Sequence, residues 1–118
     1  MIHWFEIPVL DFYRAKRFYE YVFQIEMPVS DMGTYTMGFF PAKGEVAGAI
    51  VQGDGYQPSV YGARIYLTCN PDLSAFVERA VQMGGQVIVP KFLITEEVGY
   101  CAFVLDSEGN SIAMHSVS

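Results

Sequence analysis

The chain repeats itself. Ile7-Pro8-Val9-Leu10-Asp11 runs from a strand-like segment into an acidic residue and a helical pattern, and Leu67-Thr68-Cys69-Asn70-Pro71-Asp72 does the same. The two Asp stand 61 positions apart, about half of the 118 residues. Two copies of one supersecondary unit bury their apolar faces most readily by pairing with each other. The groove between them is then the natural place for a ligand.

The pattern inside each copy gives the elements. Phe5, Ile7 and Val9 alternate with Trp4, Glu6 and Pro8, which predicts a strand with one face on a core. Asp11 is a good N-cap, and Ala15, Phe18, Tyr19 and Val22 follow at helical spacing, so a helix is expected over about 12–23. Pro28 limits the strand that could follow this helix, and Asp31-Met32-Gly33 reads as a turn. Strands are expected over Thr34 to Phe40 and Glu45 to Gln52. The stretch from Gly53 to Ser59 is the one linker-like segment. It separates a first module of about 1–52 from a second of about 62–118, with the linker spanning 53–61 of a single domain. In the second module Ile65, Leu67 and Cys69 form the core face of the opening strand, and Arg64, Tyr66 and Thr68 the other. Asn70-Pro71 reads as an N-cap followed by Pro at the first helical position. Leu73, Phe76, Val77 and Ala80 make the apolar stripe, and Gly84-Gly85 ends the helix. Strands follow over Gln86 to Val89, Gly99 to Leu105 and Ser111 to Val117, the last two joined by the turn from Asp106 to Asn110. The order is βαβββ twice, an α+β chain.

Composition narrows the partners. The net charge is −6 with no run of Lys or Arg, which argues against nucleic acid and anionic membrane. The longest apolar stretches are strand-length, and no basic flank marks a signal peptide, so a cytoplasmic location is expected. Cys69 and Cys101 both sit in apolar runs and read as reduced core thiols. Cys69 lies just ahead of a helix start, which leaves an activated thiol as its other reading.

With this order the chain resembles the vicinal oxygen chelate superfamily, the group of glyoxalases, bleomycin-resistance proteins and ring-cleaving dioxygenases. The resemblance covers essentially the whole chain. It rests on the entry Ile7-Pro8-Val9-Leu10-Asp11 with Phe18-Tyr19 on the helix, on Gly84-Gly85 and Gly99-Tyr100, and on Asp106-Ser107-Glu108-Gly109-Asn110 before the last strand. It implies two βαβββ modules with sheets curved round a shared groove and helices outside. It also implies a homodimer, and a sheet order that places the last strand between those bearing Cys69 and Cys101, beyond disulfide reach.

Enzymes of that superfamily hold a divalent metal with groove-facing His or Gln on the first strand of each copy and Glu on the last. Carried over, the first position falls on Trp4. The second falls on Arg64, allowing one inserted residue near Asn70-Pro71. The Glu expected four residues after Gly109 is Ala113, and Ala47-Gly48-Ala49 offers no carboxylate in any register. Trp and Ala cannot hold a metal and Arg repels one, so no metal and no other cofactor is expected.

Alternation leaves Trp4, Glu6, Arg64, Tyr66, Thr68, Ser111, Ala113 and His115 facing the groove. Glu6 could accept a proton, or pair with Arg64 and anchor the two copies. His115 could act as a base or lone ligand, or be bonded locally near the chain end. Arg64 can grip a carboxylate or phosphate through its planar fork, and Trp4, Tyr66 and Tyr100 can stack on a flat ligand or simply pack. His3 lies on the strand face opposite Glu6, which counts against a replacement two-His centre. Glu96-Glu97 reads as a solvated turn. Two function classes follow. One is a metal-free protein binding a small organic molecule through Trp4, Arg64, Tyr66 and Tyr100. The other is a glyoxalase-like lyase or isomerase working through Glu6 and His115.

Overall fold

The computed structural model describes residues 1–41 and 47–118. The first module runs β1 (Trp4–Pro8), α1 (Phe12–Phe23), β2 (Val29–Asp31), β3 (Tyr35–Phe39) and β4 (Ala47–Gly53). The second runs β5 (Tyr66–Thr68), α2 (Ser74–Gln82), β6 (Gln86–Thr95), β7 (Gly99–Leu105) and β8 (Ser111–Ser116). The sheets are ordered β1-β4-β3-β2 and β5-β8-β7-β6, so both modules place the opening strand parallel to the closing one. The βαβββ repeat is present in both halves. The start of the strand expected from Glu45 lies outside the described residues.

The helix layer and one face of each sheet enclose the core. Asp11 caps α1 by accepting from the Arg14 N–H at 3.2 Å, and Ala15, Phe18, Tyr19 and Val22 are fully buried. They meet Ile7, Ile50, Ala102, Val104, Ile112 and Met114 from both sheets. A carboxylate cap plus an apolar stripe is sufficient local instruction for this helix.

The second helix departs from expectation. It begins at Ser74, and Leu73 precedes it without a side-chain cap bond. Asn70 does not cap it. Its Oδ1 instead accepts from the Val117 N–H at 2.9 Å, tying down the strand end. Asp72 accepts from the Ser74 N–H at 2.8 Å and from Lys91 at 2.9 Å. Those bonds hold its carboxyl at about 2. The strand expected to stop at Val89 continues through Pro90 to Thr95. An edge strand paired only with β7 tolerates a residue that cannot donate, and the register shifts there.

The turn from Asp106 to Asn110 joins the modules. Asp106 is buried and accepts from the Glu108 N–H, the Asn110 N–H, the Asn110 side-chain amide and the Tyr19 hydroxyl, the last at 2.6 Å. Burial first, then the Asp106 charge, pushes the Tyr19 phenol well above its ordinary value, so it stays a donor. Asn110 donates to the Pro8 carbonyl at 2.7 Å. Glu108 accepts from the Leu10 and Asp11 N–H groups and from Arg14. Positive φ at Gly109 closes the turn without a Cβ penalty.

Both cysteines are buried and free. β8 lies between β5, which leads directly into Cys69, and β7, which carries Cys101. Burial pushes the Cys69 thiol up to about 12, which removes the activated reading.

Candidate functional site

Cross-strand partners share a face, so register sorts the candidate residues. On the first sheet Trp4 pairs with Ala47, Glu6 with Ala49, and Ala49 with Phe39. On the second Tyr66 pairs with Ala113, which pairs with Phe103, and Thr68 pairs with His115, which pairs with Cys101. These are the faces turned away from the helices. Trp4, Glu6, Tyr66 and His115 lie on them as alternation required.

Tyr100 does not. It pairs with Ser116 on the helix side of β7 and packs on the core, with the Lys91 ammonium 4.6 Å from its ring centroid. The groove-side aromatic on this strand is Phe103, three residues on. Strand parity alone could have found it. Phe103 meets Tyr66 edge-on at 6.4 Å and Phe92 at 5.8 Å.

Arg64 and Glu6 do not pair. The Arg64 guanidinium lies over the Phe103 ring, 3.9 Å from its centroid, and forms no ion pair among the described residues. Stacking of this kind occupies the guanidinium face and leaves its N–H edge free for a planar anion. Glu6 is held within its own sheet. Its Oε2 accepts from the Trp4 indole N–H at 3.2 Å and its Oε1 from the Tyr56 hydroxyl at 2.6 Å. The hydrogen bond to Glu6, then burial, raises the Tyr56 phenol, which keeps it a donor. His115 is half-buried, with its Nε2 2.6 Å from the Val98 carbonyl oxygen. Glu6 and His115 thus engage different partners on different sheets, and no hydrogen bond joins them among the described residues.

Two cavities lie where the modules meet. The smaller, about 150 Å³, is lined by Glu6 and Pro8 of β1, by Ala63 and Ile65 on either side of Arg64, and by Ser111. It brings Glu6 close to the segment before β5 that carries Arg64. The larger, about 610 Å³, is lined by Phe5, Phe23, Phe40, Leu67 and Phe76 together with Tyr66 and Thr68 of β5.

The fold also locates the metal-ligand positions. The Val9 N–H donates to the Val51 carbonyl at the end of β1, and the Cys69 N–H donates to the His115 carbonyl at the end of β5. Those equivalent bonds align Trp4 with Arg64 and Ala49 with Ala113. Ala49 and Ala113 are fully buried. No three His, Cys, Asp or Glu side chains converge on a metal-sized site among the described residues. The donor set does not fit a divalent ion: an indole already bonded to Glu6, a guanidinium, and two methyl groups.

Solved structures carry the same architecture. Glyoxalase I from Zea mays, as its V278E mutant, superposes with a TM-score of 0.75 at 16% identity, over 97% of this chain but 45% of the maize chain. A glyoxalase/bleomycin resistance protein from Albidiferax ferrireducens T118 gives 0.73 at 21% identity, over 97% of both chains. TnmS3, an antibiotic-binding protein from Streptomyces sp. CB03234, gives 0.72 at 22%, over 100% of this chain and 96% of that one. This is the vicinal oxygen chelate fold. The chain spans less than half of the maize enzyme. No family model matches the sequence, and no curated protein does. Among the described residues the groove faces are aromatic, with one carboxylate, one guanidinium and one imidazole. Among the described residues no helix is long and apolar enough to cross a membrane.

Proposed function

We propose that this protein binds a small, flat organic molecule on the groove faces of its two sheets, without a metal at the positions the fold reserves for one. The observation that carries this reading is Arg64 laid on Phe103, at the position where a metal ligand would stand. A stacked guanidinium with a free edge is suited to hold a ligand carboxylate or phosphate, and Trp4 and Tyr66 to stack on its body. The antibiotic-binding role of TnmS3 on the same fold supports it. Trp4, the only tryptophan, reports directly. A ligand should quench its fluorescence stoichiometrically and leave unchanged on dialysis.

The competing reading is a glyoxalase-like enzyme using Glu6 and His115, and the likeness to the maize enzyme favours it. Turnover of a keto-aldehyde or thioester, abolished in Glu6→Gln at unchanged melting temperature, would establish it instead.

We also infer a homodimer, one domain per chain with its modules divided at about 53–61, working in a reducing cytoplasm. Val87, Ile88, Phe92, Leu93 and Ile94 of β6 are exposed and offer apolar surface for a second copy to cover. The two free thiols support a reducing compartment.

A further inference from the structure

Building on that binding role, we infer that the groove face of the first sheet receives an ammonium group, with Glu6 as its counter-charge inside a ring of four aromatic side chains. Glu6 then serves neither as a base nor as an anchor for Arg64.

The ring follows from the strand order. Trp4 and Glu6 stand on β1, and Phe39 and Tyr35 on β3, with only the small Ala47 and Ala49 and the terminal Gly53 of β4 opposite them in register. Across β4 only Ala47 and Ala49 stand between Trp4 and Phe39, whereas Met37 of β3 and Val51 of β4 lie on the same face between that pair and Tyr35. Trp4 meets Phe39 edge-on at 6.1 Å. The linker returns Tyr56 to the same face, where it meets Tyr35 at 5.5 Å. The two aromatic pairs are joined through one carboxylate, because Trp4 and Tyr56 each donate to a different oxygen of Glu6.

Both donors are neutral, so they orient the carboxylate without compensating its charge. Among the described residues it has no ion pair. Each carboxylate oxygen retains further accepting capacity beyond its one bond. Trp4 and Tyr56 turn their N–H and O–H edges to Glu6, so the attraction for a cation comes from the carboxylate, and the aromatic side chains offer apolar contact to its organic groups. A neutral ligand covering Glu6 would strip its water and return nothing, and an anion would meet a like charge in a protein of net charge −6. Trp4 and Tyr35 are each 38% exposed, so the ring is open to a ligand. The class selected is a compact or flat organic molecule carrying a primary to quaternary ammonium.

The single indole N–H resonance of Trp4 gives the test, since that proton is bonded to Glu6. Three probes of similar size differ in charge: benzyltrimethylammonium, benzyl alcohol and benzoate. The cation should shift the resonance saturably and bind about tenfold or more tighter than the alcohol, and benzoate, whose carboxylate is drawn to Arg64 and repelled by Glu6, should move it least. In Glu6→Gln, whose side-chain oxygen still accepts from Tyr56, that preference should vanish. Equal affinity for cation and alcohol, or a preference that survives Glu6→Gln, overturns the ammonium site and leaves the groove a binding surface. Absence of binding by all three at millimolar concentration overturns both. The comparison of probes on the wild-type chain holds even if the variant fails to fold.

Discussion

Glu108 accepts the backbone N–H of Asp11 at 2.7 Å, across 97 positions of sequence. The same carboxylate takes the Leu10 N–H at 3.0 Å and the Arg14 guanidinium at 2.8 Å. A residue of the second module thereby serves the N-terminus of the first module's helix, where a negative charge is favoured. Its side chain is fully shielded from solvent, whereas that of Arg14 is 48% exposed.

Glu108→Gln should lower stability by about 1–3 kcal/mol, because it places an amide against Arg14 and weakens a charged acceptor of part-buried N–H groups. The pH dependence has a definite sign. Burial pushes the Glu108 carboxyl up, but the bonds from Arg14, Asp11, Ser107 and Leu10 outweigh it and leave it below its ordinary value. Its contribution is therefore present above the unfolded value of about 4.3 and lost as the pH falls through the lower folded value. Thermal melts between neutral pH and strong acid should show wild type losing its margin over Glu108→Gln in that range. A constant margin would contradict this.

Neither thiol should react in the native protein. Cys69 is fully buried with its thiol pushed up to about 12, and Cys101 is also raised, by burial first. A thiol-counting reagent at pH 8 should label both cysteines only after unfolding, and native mass should show no disulfide. Fast native labelling of either one would be inconsistent with this packing.

Chelation should change nothing. EDTA is expected to leave the melting temperature and Trp4 quenching as they were. Metal analysis of protein purified without chelator should find no stoichiometric transition metal. One retained through Glu6 and His115 would instead make the enzyme the better reading.

Arg64→Ala should separate binding from stability. Arg64 is exposed and its contact with Phe103 is worth about 0.5–1 kcal/mol, so the melt should barely move. Affinity for a carboxylate-bearing flat ligand, measured by calorimetry, should fall about tenfold or more. Unchanged affinity would remove Arg64 from the site.

Light scattering should give the dimer mass at micromolar concentration. Replacing Phe92 or Ile94 by Glu should shift it to monomer. A monomer in wild type would remove the second copy from the account.

What the sequence made legible was local. Asp11 and the stripe from Ala15 to Val22 are enough to locate their helix in the sequence. Asn70-Pro71 carries the same local signal and misleads, because the Asn70 side chain is taken by the Val117 N–H, a partner 47 positions away. Pro90 reads as a strand stop, and only the edge position of β6 makes it harmless. The groove faces of Trp4, Glu6, Tyr66 and His115 follow from alternation, and so does Phe103. Tyr35, Phe39 and Tyr56 could not be read in this way. Their approach to Glu6 depends on the β1-β4-β3 order and on where the linker returns.

The turn from Asp106 to Asn110 also bears on the chain's connectivity. It grips Pro8, Leu10, Asp11, Arg14 and Tyr19 through side chains, so mutual recognition of the two halves does not pass through the peptide that joins them. The linker acts as a tether that raises the effective concentration of one half for the other. Severed between Ser59 and Gly62, the halves should still find each other and reassemble, with an affinity that falls on dilution. The protein is in this sense a heterodimer that happens to be encoded as one chain.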